Sequence, residues 1–367
     1  MFELTPDITF KKELEAISGA PLNACMQCGT CSVVCTLSPE EKPFPRKEMA
    51  YAAWGMPGKL TGNPDIWLCH QCGDCSTHCP RGVKPADLLA GVRQLTYRHY
   101  ARPRFLYRIL SQPAWLPVAI LVPVVIIAGI MAMAGTLRIP EGAVNYSKLF
   151  PHAWLNTSFT LLTFLAYGVA FSGWRRFWKD LQAQFPHRKA EGGFFRNLRG
   201  AWRQILAHER FGRCGTGRRR RWSHMLVFYG FVMLLVLTLY AIYTVIAGTY
   251  PLKITDPFKI MGNVASVMLV VGLVMMMWDR LTGREVAGHS TYSDWLLLVS
   301  LLLLTLSGVV IQMARFLEWQ AAYPLYFFHL VCVWFVIIYL PFTKFGHMVY
   351  RTIAMTYAYS SLSEKKN

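Results

Sequence analysis

The stretch CMQCGTCSVVC, residues 25–35, returns 44 residues later as CHQCGDCSTHC, residues 69–79, with every cysteine in register. Such runs of four cysteines hold the clusters of two-cluster ferredoxins, in which the fourth thiolate of each run reaches across to the other cluster. Zinc ribbons and disulfides are the alternatives, but zinc sites pair their cysteines without a third at the same step. The repeated run therefore predicts two [4Fe–4S] clusters.

The exchange of the fourth thiolate divides the eight cysteines into two ligand sets. The first cluster is assigned to Cys25, Cys28, Cys31 and Cys79. The second cluster is assigned to Cys35, Cys69, Cys72 and Cys75. Cys214 and Cys332 lack partners at ligand spacing and are interpreted as ordinary residues.

Composition separates this cysteine-rich head from a membrane body. The chain of 367 residues is 54% hydrophobic and only 16% charged, whereas soluble domains are about 25% charged. Apolar stretches of about 20 residues are candidates for membrane spans. Six such stretches lie near residues 114–137, 153–174, 224–249, 258–278, 295–314 and 326–346.

The distribution of positive charge predicts the orientation in the membrane. Residues 175–221 carry 14 Lys/Arg and three acidic residues, whereas the loops at the other ends of the spans carry few bases. By the positive-inside rule, the head, this loop and the C-terminus with Lys365 and Lys366 face the cytoplasm of an inner membrane. The first 12 residues lack a signal-peptide pattern. The Lys and Arg residues that give the net charge of +18 lie beside the spans. This position argues against nucleic-acid binding.

The local pattern is helical throughout. Helices are predicted for residues 9–19, after Pro45 and for Lys84–Tyr100, and no stretch alternates like a β-strand. Residues 194–210 form an amphipathic pattern typical of a helix on the inner leaflet. We therefore predict an all-α protein, with a helical ferredoxin domain at 1–105 and a six-helix transmembrane domain at 106–367, which includes the basic loop 175–221.

Four histidines lie in or at the ends of predicted spans, where ionisable residues are functional candidates. His329 and His347 are 18 residues apart, which would be five turns and about 27 Å on one face of a continuous helix. This spacing predicts one histidine for each of two stacked b haems. His224 and His347 are paired for the inner haem, and His329 and His152 for the outer haem. The remaining histidines are interpreted as surface or head residues: His70, His78, His99, His187, His208 and His289.

Three resemblances go beyond the residues. The segments CMQCGTCSVVC and DIWLCHQCGDCSTHCPRGV resemble the C subunit of heterodisulfide reductase, although Thr36 stands where many such motifs have proline. The histidine arrangement resembles the cytochrome b subunit of respiratory nitrate reductase, with Leu234 at the level of a second ligand in that family. The combination is similar to the C subunit of the quinone-interacting membrane-bound oxidoreductase complex.

That last resemblance implies a function. Menaquinol would be oxidised, and electrons would reach flavin-containing A and B partner subunits and then adenylylsulfate reductase. A proton acceptor for quinol is expected near the outer haem, where Lys259 and Arg315 are weak candidates, and no residue is assigned a catalytic role. Two alternatives stay open: a heterodisulfide-reductase-type or other respiratory module that reduces quinone, and a membrane anchor that carries clusters but no haem.

Overall fold

A computed structural model of the chain describes residues 5–214, 218–248, 252–253, 255–283 and 288–358. These residues form α-helices, short 3-10 turns and loops, without a β-strand, which confirms the all-α fold. The head contains α1 (Ile8–Ser18), α2 (Thr30–Val33), α3 (Arg46–Ala53), α4 (Asp65–Leu68), α5 (Asp74–Thr77) and α6 (Pro85–Tyr100), and α7 (Arg104–Ser111) crosses the predicted division between residues 105 and 106. The remaining helices are α8 (Leu116–Met133), α9 (Tyr146–Leu149), α10 (His152–Gln184), α11 (Phe194–Ala207), α12 (Arg218–Ile246), α13 (Pro257–Leu281), α14 (Tyr292–Phe316), α15 (Ala322–Tyr339) and α16 (His347–Ala358).

Six of these helices are long and apolar enough to cross a membrane: α8, α10, α12, α13, α14 and α15. Helices α12 and α13 approach closely because glycines face the neighbouring helix. A Cβ atom on Gly230 would lie 2.8 Å from Leu269 Cγ, and one on Gly272 would lie 2.9 Å from the Ser223 carbonyl oxygen. Small residues of this kind allow membrane helices to pack without a hydrophobic driving force. The side of the membrane that each end faces stays a prediction, and Lys365 and Lys366 lie outside the described residues.

The helices of the head start and stop where the sequence provides caps. The Asp7 side chain accepts a hydrogen bond from the Phe10 N–H at 2.8 Å, and Gly19 ends α1 at φ +62°. Left-handed glycine at this position is a common helix stop. Helix α1 then lies against α6, where a Cβ on Gly91 would be only 3.1 Å from Leu14. The head is thus a packed helical unit and not a loop around the cysteines.

The chain after α15 differs from the sequence prediction. The sixth predicted span ran continuously to residue 346, but α15 ends at Tyr339 and two 3-10 turns, Leu340–Phe342 and Lys344–Gly346, follow. Pro341 has no N–H to continue a helix, and the Thr343 side chain caps the second turn. His347 therefore begins a separate helix, α16. The expectation that His329 and His347 share one face of a single helix is wrong.

Helix α16 packs against the head. Tyr350 stacks on Trp67 of α4 at a centroid distance of 5.2 Å and an angle of 13°, and both rings are almost completely buried. Phe177 of α10 packs on the edge of the same tryptophan. The hydrophobic core of the head therefore continues into the end of the membrane bundle. The cysteine runs and the C-terminal helix lie at the same end of that bundle.

The long loop between α10 and α12 also contacts the head. Arg188, 2% exposed, forms an ion pair with the buried Asp65. Arg210 donates to the Leu37 carbonyl oxygen at 3.2 Å. The predicted amphipathic helix is present as α11, with Ala201 buried against α16 and Phe195 exposed. Its contact with a membrane leaflet stays a prediction.

Candidate iron–sulfur and histidine site

Both cysteine runs fold in the same way. Gln27 and Gln71 hold left-handed conformations at φ 57° and 52°, and Gly29 and Gly73 follow at φ 87° and 95°. Each glycine precedes a helix of four residues, α2 or α5. The three closely spaced cysteines of each run therefore lie on the same backbone conformation. The repeat seen in the sequence is therefore a repeat in structure.

One cavity gathers the thiols assigned to the first cluster. It is about 20 Å³ in volume, and its lining includes Cys25, Cys28, Cys31 and Cys79. Burial and the neighbouring thiol of Cys25 raise the pKa of Cys31 to about 11. Crowded buried thiols become ionised readily only when a cation compensates the charge. The thiol set thus fits an iron–sulfur cluster.

The remaining four thiols also influence one another across the two runs. Burial and the Cys69 thiol raise the pKa of Cys35 to about 12. The pKa of Cys75 is raised by burial and by Cys69, Cys35 and Cys72. The Gln71 N–H donates to Cys69 Sγ at 3.2 Å, the kind of hydrogen bond that tunes cluster potentials. These mutual influences indicate that the thiols assigned to the second cluster lie close together, and none of the ten cysteines, all within the described residues, forms a disulfide.

A ninth thiol lies beside the second set, which the sequence did not predict. Ligand atoms of Cys72, Asp74 and Cys214 all lie within 4.8 Å of one another. Cys214 comes from the long loop, is buried, and is more than 130 residues from Cys72 in sequence. No sequence spacing indicates this contact, because only docking of the loop on the head creates it.

Three arginines hold the loop of the second cysteine run. The Cys69 carbonyl oxygen accepts from Arg93 of α6 at 3.0 Å and from Arg351 of α16 at 3.3 Å. Arg220 of α12 donates to the Gln71 carbonyl oxygen. Burial and the neighbouring Arg210 lower the pKa of Arg351 to about 9. The second run is therefore clamped to a membrane helix and to the C-terminal helix by positive charge.

The predicted inner histidine pair is brought together despite the break in the last span. The ring centroids of His224 and His347 are 6.5 Å apart, with an angle of 74° between the rings. Imidazole nitrogens bind metal ions at about 2 Å, so two rings on opposite sides of one iron have centroids roughly 6 Å apart. The separation of these two histidines therefore fits a shared iron.

Hydrogen bonds fix the tautomers of both rings. His347 Nδ1 lies 2.9 Å from the Lys344 carbonyl oxygen, which can only accept, so Nδ1 carries the proton. His208 Nδ1 likewise donates to the Leu206 carbonyl oxygen at 3.1 Å, which leaves His208 Nε2 as an acceptor. His224 Nδ1 then donates to His208 Nε2 at 3.0 Å. Both His224 and His347 present an unprotonated Nε2, the state in which imidazole binds a metal.

His329 has the same arrangement inside the bundle. The Ser307 hydroxyl donates to the Leu304 carbonyl oxygen at 3.0 Å. It therefore accepts from His329 Nδ1 at 2.9 Å, which leaves Nε2 free of that proton. The predicted partner, His152, is the first residue of α10. The pairing of His329 with His152 stays a prediction.

The predicted quinol residues lie at the end of the bundle away from the head. Lys259 is in the first turn of α13 and Arg315 in the last turn of α14. Helix α12 begins at the head and runs about 42 Å, so the end where α13 begins is remote from the cysteines. His70 lies in the head, in agreement with its interpretation as a surface or head residue, whereas His208 lies in neither place, because it belongs to the long loop and is buried. Both are buried beside the inner histidine pair.

The fold and the paired cysteine runs define a membrane protein with a helical iron–sulfur head. The profile of the 4Fe–4S dicluster domain matches residues 21–83. The chain belongs to the family described as Citrate utilization protein B, whose profile matches residues 111–366. Citrate utilization protein B of Escherichia coli is 27% identical over 357 residues, which cover 91% of this chain and 88% of that protein.

The head has separate relatives, as its motifs predicted. The C subunit of the H(2):CoB-CoM heterodisulfide,ferredoxin reductase of Methanothermobacter marburgensis is 31% identical over 83 residues, 23% of this chain and 45% of that protein. The C2 subunit of the H(2)/formate:CoB-CoM heterodisulfide,ferredoxin reductase of Methanococcus maripaludis is 36% identical over 76 residues, 21% of this chain and 41% of that protein. This chain spans less than half of these two relatives. No solved structure matches the chain.

Proposed function

We propose that this protein is a membrane electron-transfer subunit that connects a quinone in the bilayer with a flavoprotein in the cytoplasm. The similarity of its head to iron–sulfur subunits supports an electron-transfer role. The observation that carries the proposal is a cavity lined by both Cys69 of the second run and the histidine pair, His224 and His347. Two [4Fe–4S] clusters and two b haems supply one-electron carriers when they are bound.

The residues of the chain have separate tasks in this proposal. The eight cysteines of the two runs hold the clusters in the sets assigned from sequence. His224 and His347 hold the inner haem, since each has a free Nε2 and a fixed Nδ1. His329 and His152 hold the outer haem, and Lys259 or Arg315 serves the quinol on the remote side. We place the division between head and membrane domain at residues 105 and 106.

The direction of electron flow separates two settings. Resemblance to the quinone-interacting complex favours flow from menaquinol to flavin-containing A and B partner subunits and adenylylsulfate reductase, as in sulfate reduction. The nearly full-length similarity to Citrate utilization protein B favours a carbon-catabolic setting. There, a flavoprotein that oxidises a carboxylic acid delivers electrons through the head to quinone. We favour the second setting because the similarity covers both the head and the membrane domain.

The test is the cofactor content of the purified full-length protein. A pyridine haemochrome assay is expected to give two b haems per chain, which are reduced when a menaquinol analogue is added. His347→Ala should lose one haem and keep its iron–sulfur absorbance, whereas His187→Ala, at an exposed position, should lose neither. A wild-type chain that binds iron but no haem would overturn the proposal and leave a cluster-bearing membrane anchor.

The direction is tested separately by reduction from either side. In one reaction, the anaerobic protein is mixed with menaquinol and the oxidised flavoprotein dehydrogenase. In the other, it is mixed with the dithionite-reduced flavoprotein dehydrogenase and a quinone acceptor. Net transfer to quinone at physiological ratios supports the catabolic setting. Net transfer from menaquinol to the flavoprotein supports the sulfate-reduction setting.

A further inference from the structure

An unusual concentration of positive charge lies beneath the second cysteine run. A cavity of about 200 Å³ is bounded by the loop of Cys69 and by residues of α6, α12, α13, α14 and α16. Its charged lining residues are Arg93, Arg220, Arg280, Arg351, Lys344, Asp279 and Asp294. Five cationic groups thus face two carboxylates. Buried charge is costly unless it is compensated, so the cavity favours an anionic occupant.

The two carboxylates of the lining are already engaged. Asp294 accepts from Arg280 at 3.1 Å and also from Lys344. Asp279 forms an ion pair with Arg219 at 2.9 Å. Arg93 and Arg351 donate to the neutral carbonyl oxygen of Cys69. Among the described residues, neither of these two arginines forms an ion pair with a carboxylate, so the thiolates of the second cluster are the anionic groups nearest to them.

His70 is a second and independent sign of a ligand. It is 9% exposed, and neither of its ring nitrogens has a hydrogen-bond partner among the described residues. The ring packs on the edge of Phe211 at 4.5 Å and lines the cationic cavity. A buried ring nitrogen without a partner costs free energy, and a hydrogen-bond acceptor in the cavity would remove that cost.

The cavity is continuous in its lining with a smaller apolar one. His70, Phe211, His224, His347 and Arg351 line both, and the smaller cavity, of about 140 Å³, adds mainly apolar side chains. The larger cavity is thus mainly cationic and the smaller one mainly apolar apart from Arg210 and the shared Arg351, and His224 and His347 line both. A haem has a matching distribution of polarity, because its porphyrin ring is apolar and its two propionates project from one edge of the ring.

We infer that His70 and Arg351, assisted by Arg93, form a carboxylate-binding cradle for the propionates of the inner haem. This inference rests on the proposed function, since it requires a haem at His224 and His347. Arg351 also donates to the Cys69 carbonyl oxygen. The side chain that holds the carboxylate therefore also holds the loop of the second cluster.

The experiment removes the carboxylates from the ligand and the cradle from the protein. Full-length protein depleted of haem is reconstituted with haem b or with its dimethyl ester, and retention is measured from the haemochrome spectrum. The wild type should prefer haem b by about tenfold, as expected for loss of one charge-assisted hydrogen bond. Arg351→Gln and His70→Leu should bring this ratio close to one and lower the haem midpoint potential. The exposed Arg108→Gln should keep the wild-type preference and potential.

Each result has one interpretation. Equal binding of the two porphyrins by the wild type would overturn the cradle and leave the haem proposal intact. Failure of the wild type to bind either porphyrin would overturn the proposed function itself. A free dicarboxylate such as succinate provides the other source of the same chemistry. If succinate raises the melting temperature of His347→Ala protein, which lacks the inner haem, and wild type retains both porphyrins equally, the site binds a free acid and the haem-propionate inference is wrong.

Discussion

The two cysteine runs have the same spacing and the same backbone, but their surroundings differ. In the first run, Cys25 is half-buried and the adjacent Met26 is 61% exposed. In the second run, Cys69 is 8% exposed and His70, which corresponds to Met26, is 9% exposed. Arginines from three helices cover the second loop. The repeated ligands therefore give both runs the same chemistry, whereas the residues between and around them decide which run faces the bundle.

Because of this difference in surroundings, the two cysteine runs have different neighbours. The second run contacts α12 and α16, so in the proposed function electrons would pass between this run and the membrane domain. The first run opens toward solvent, so it is the place where a soluble flavoprotein would approach. The reduction potential of a cluster depends on nearby charge, hydrogen bonds and exposure. We therefore expect the second cluster to have a higher reduction potential than the first. The following predictions test this asymmetry.

The largest effect is expected from removing one thiol of each run. Cys28→Ala should lose about half of the bound iron, because a cluster loses one of its four protein ligands. Cys72→Ala should lose less, since Cys214 lies close enough to Cys72 to replace it. The double variant Cys72→Ala/Cys214→Ala should again lose about half. Iron and acid-labile sulfide per chain are the measurement, with Cys332→Ala as control.

Equal loss of iron from Cys28→Ala and Cys72→Ala would contradict the role given to Cys214. It would show that the thiol of the long loop cannot reach the cluster. The asymmetry between the two runs would then depend only on burial and on the arginines.

A smaller effect is expected from weakening the contact between α16 and the head. Tyr350→Ala removes a ring that is 3% exposed and stacks on Trp67, which should cost about 3 kcal/mol in stability. Because Trp67 lies two residues before Cys69, the second cluster should be lost at lower urea than the first. Electron paramagnetic resonance spectra during a urea titration measure both losses.

The matched control is Trp54→Ala. This ring is also in the head but is 59% exposed, so its removal should change stability by less than about 0.5 kcal/mol. If Tyr350→Ala releases both clusters at the same urea concentration, the head unfolds as one unit. The C-terminal helix would then have no special link to the second run.

The features of the fold that were predicted correctly from sequence are those that short residue spacings and hydropathy encode. The cysteine runs, the six apolar helices and the all-α fold required only local patterns. His347 was selected correctly as a neighbour of His224, but from a continuous helix that Pro341 interrupts. His70, His208 and Cys214 acquire their places only when the long loop and α16 dock on the head. The contacts of His70 with Phe211 and of Cys214 with Cys72 join residues more than 130 positions apart, and His208 meets His224 16 positions later. No regular sequence spacing indicates these contacts.

The smallest predicted effect concerns Glu48, an ionisable residue that lies between the two cysteine runs in the sequence. Glu48 of α3 is fully buried and accepts from the Asn63 side chain at 3.0 Å. Burial, and then the nearby Asp65 carboxylate, raise the pKa of Glu48 to about 8, although Lys47 opposes the shift. The folded protein therefore binds this proton more tightly than the unfolded chain does. The corresponding stability is present below the ordinary pKa of a glutamate and is lost as the pH rises through about 8.

Glu48→Gln should remove most of this pH dependence, because glutamine resembles the protonated carboxyl. The melting temperature of the wild-type head should fall between pH 7 and 9, and that of the variant should stay more nearly constant. Asp65 begins α4, which leads directly to Trp67 and Cys69. The loss of stability at alkaline pH should therefore release the second cluster before the first. Identical pH profiles for wild type and variant would show that Glu48 is already ionised in the folded protein. In that case Lys47 and Arg188, and not the proton, compensate the two buried carboxylates, and the alkaline limit of the second run must come from another group.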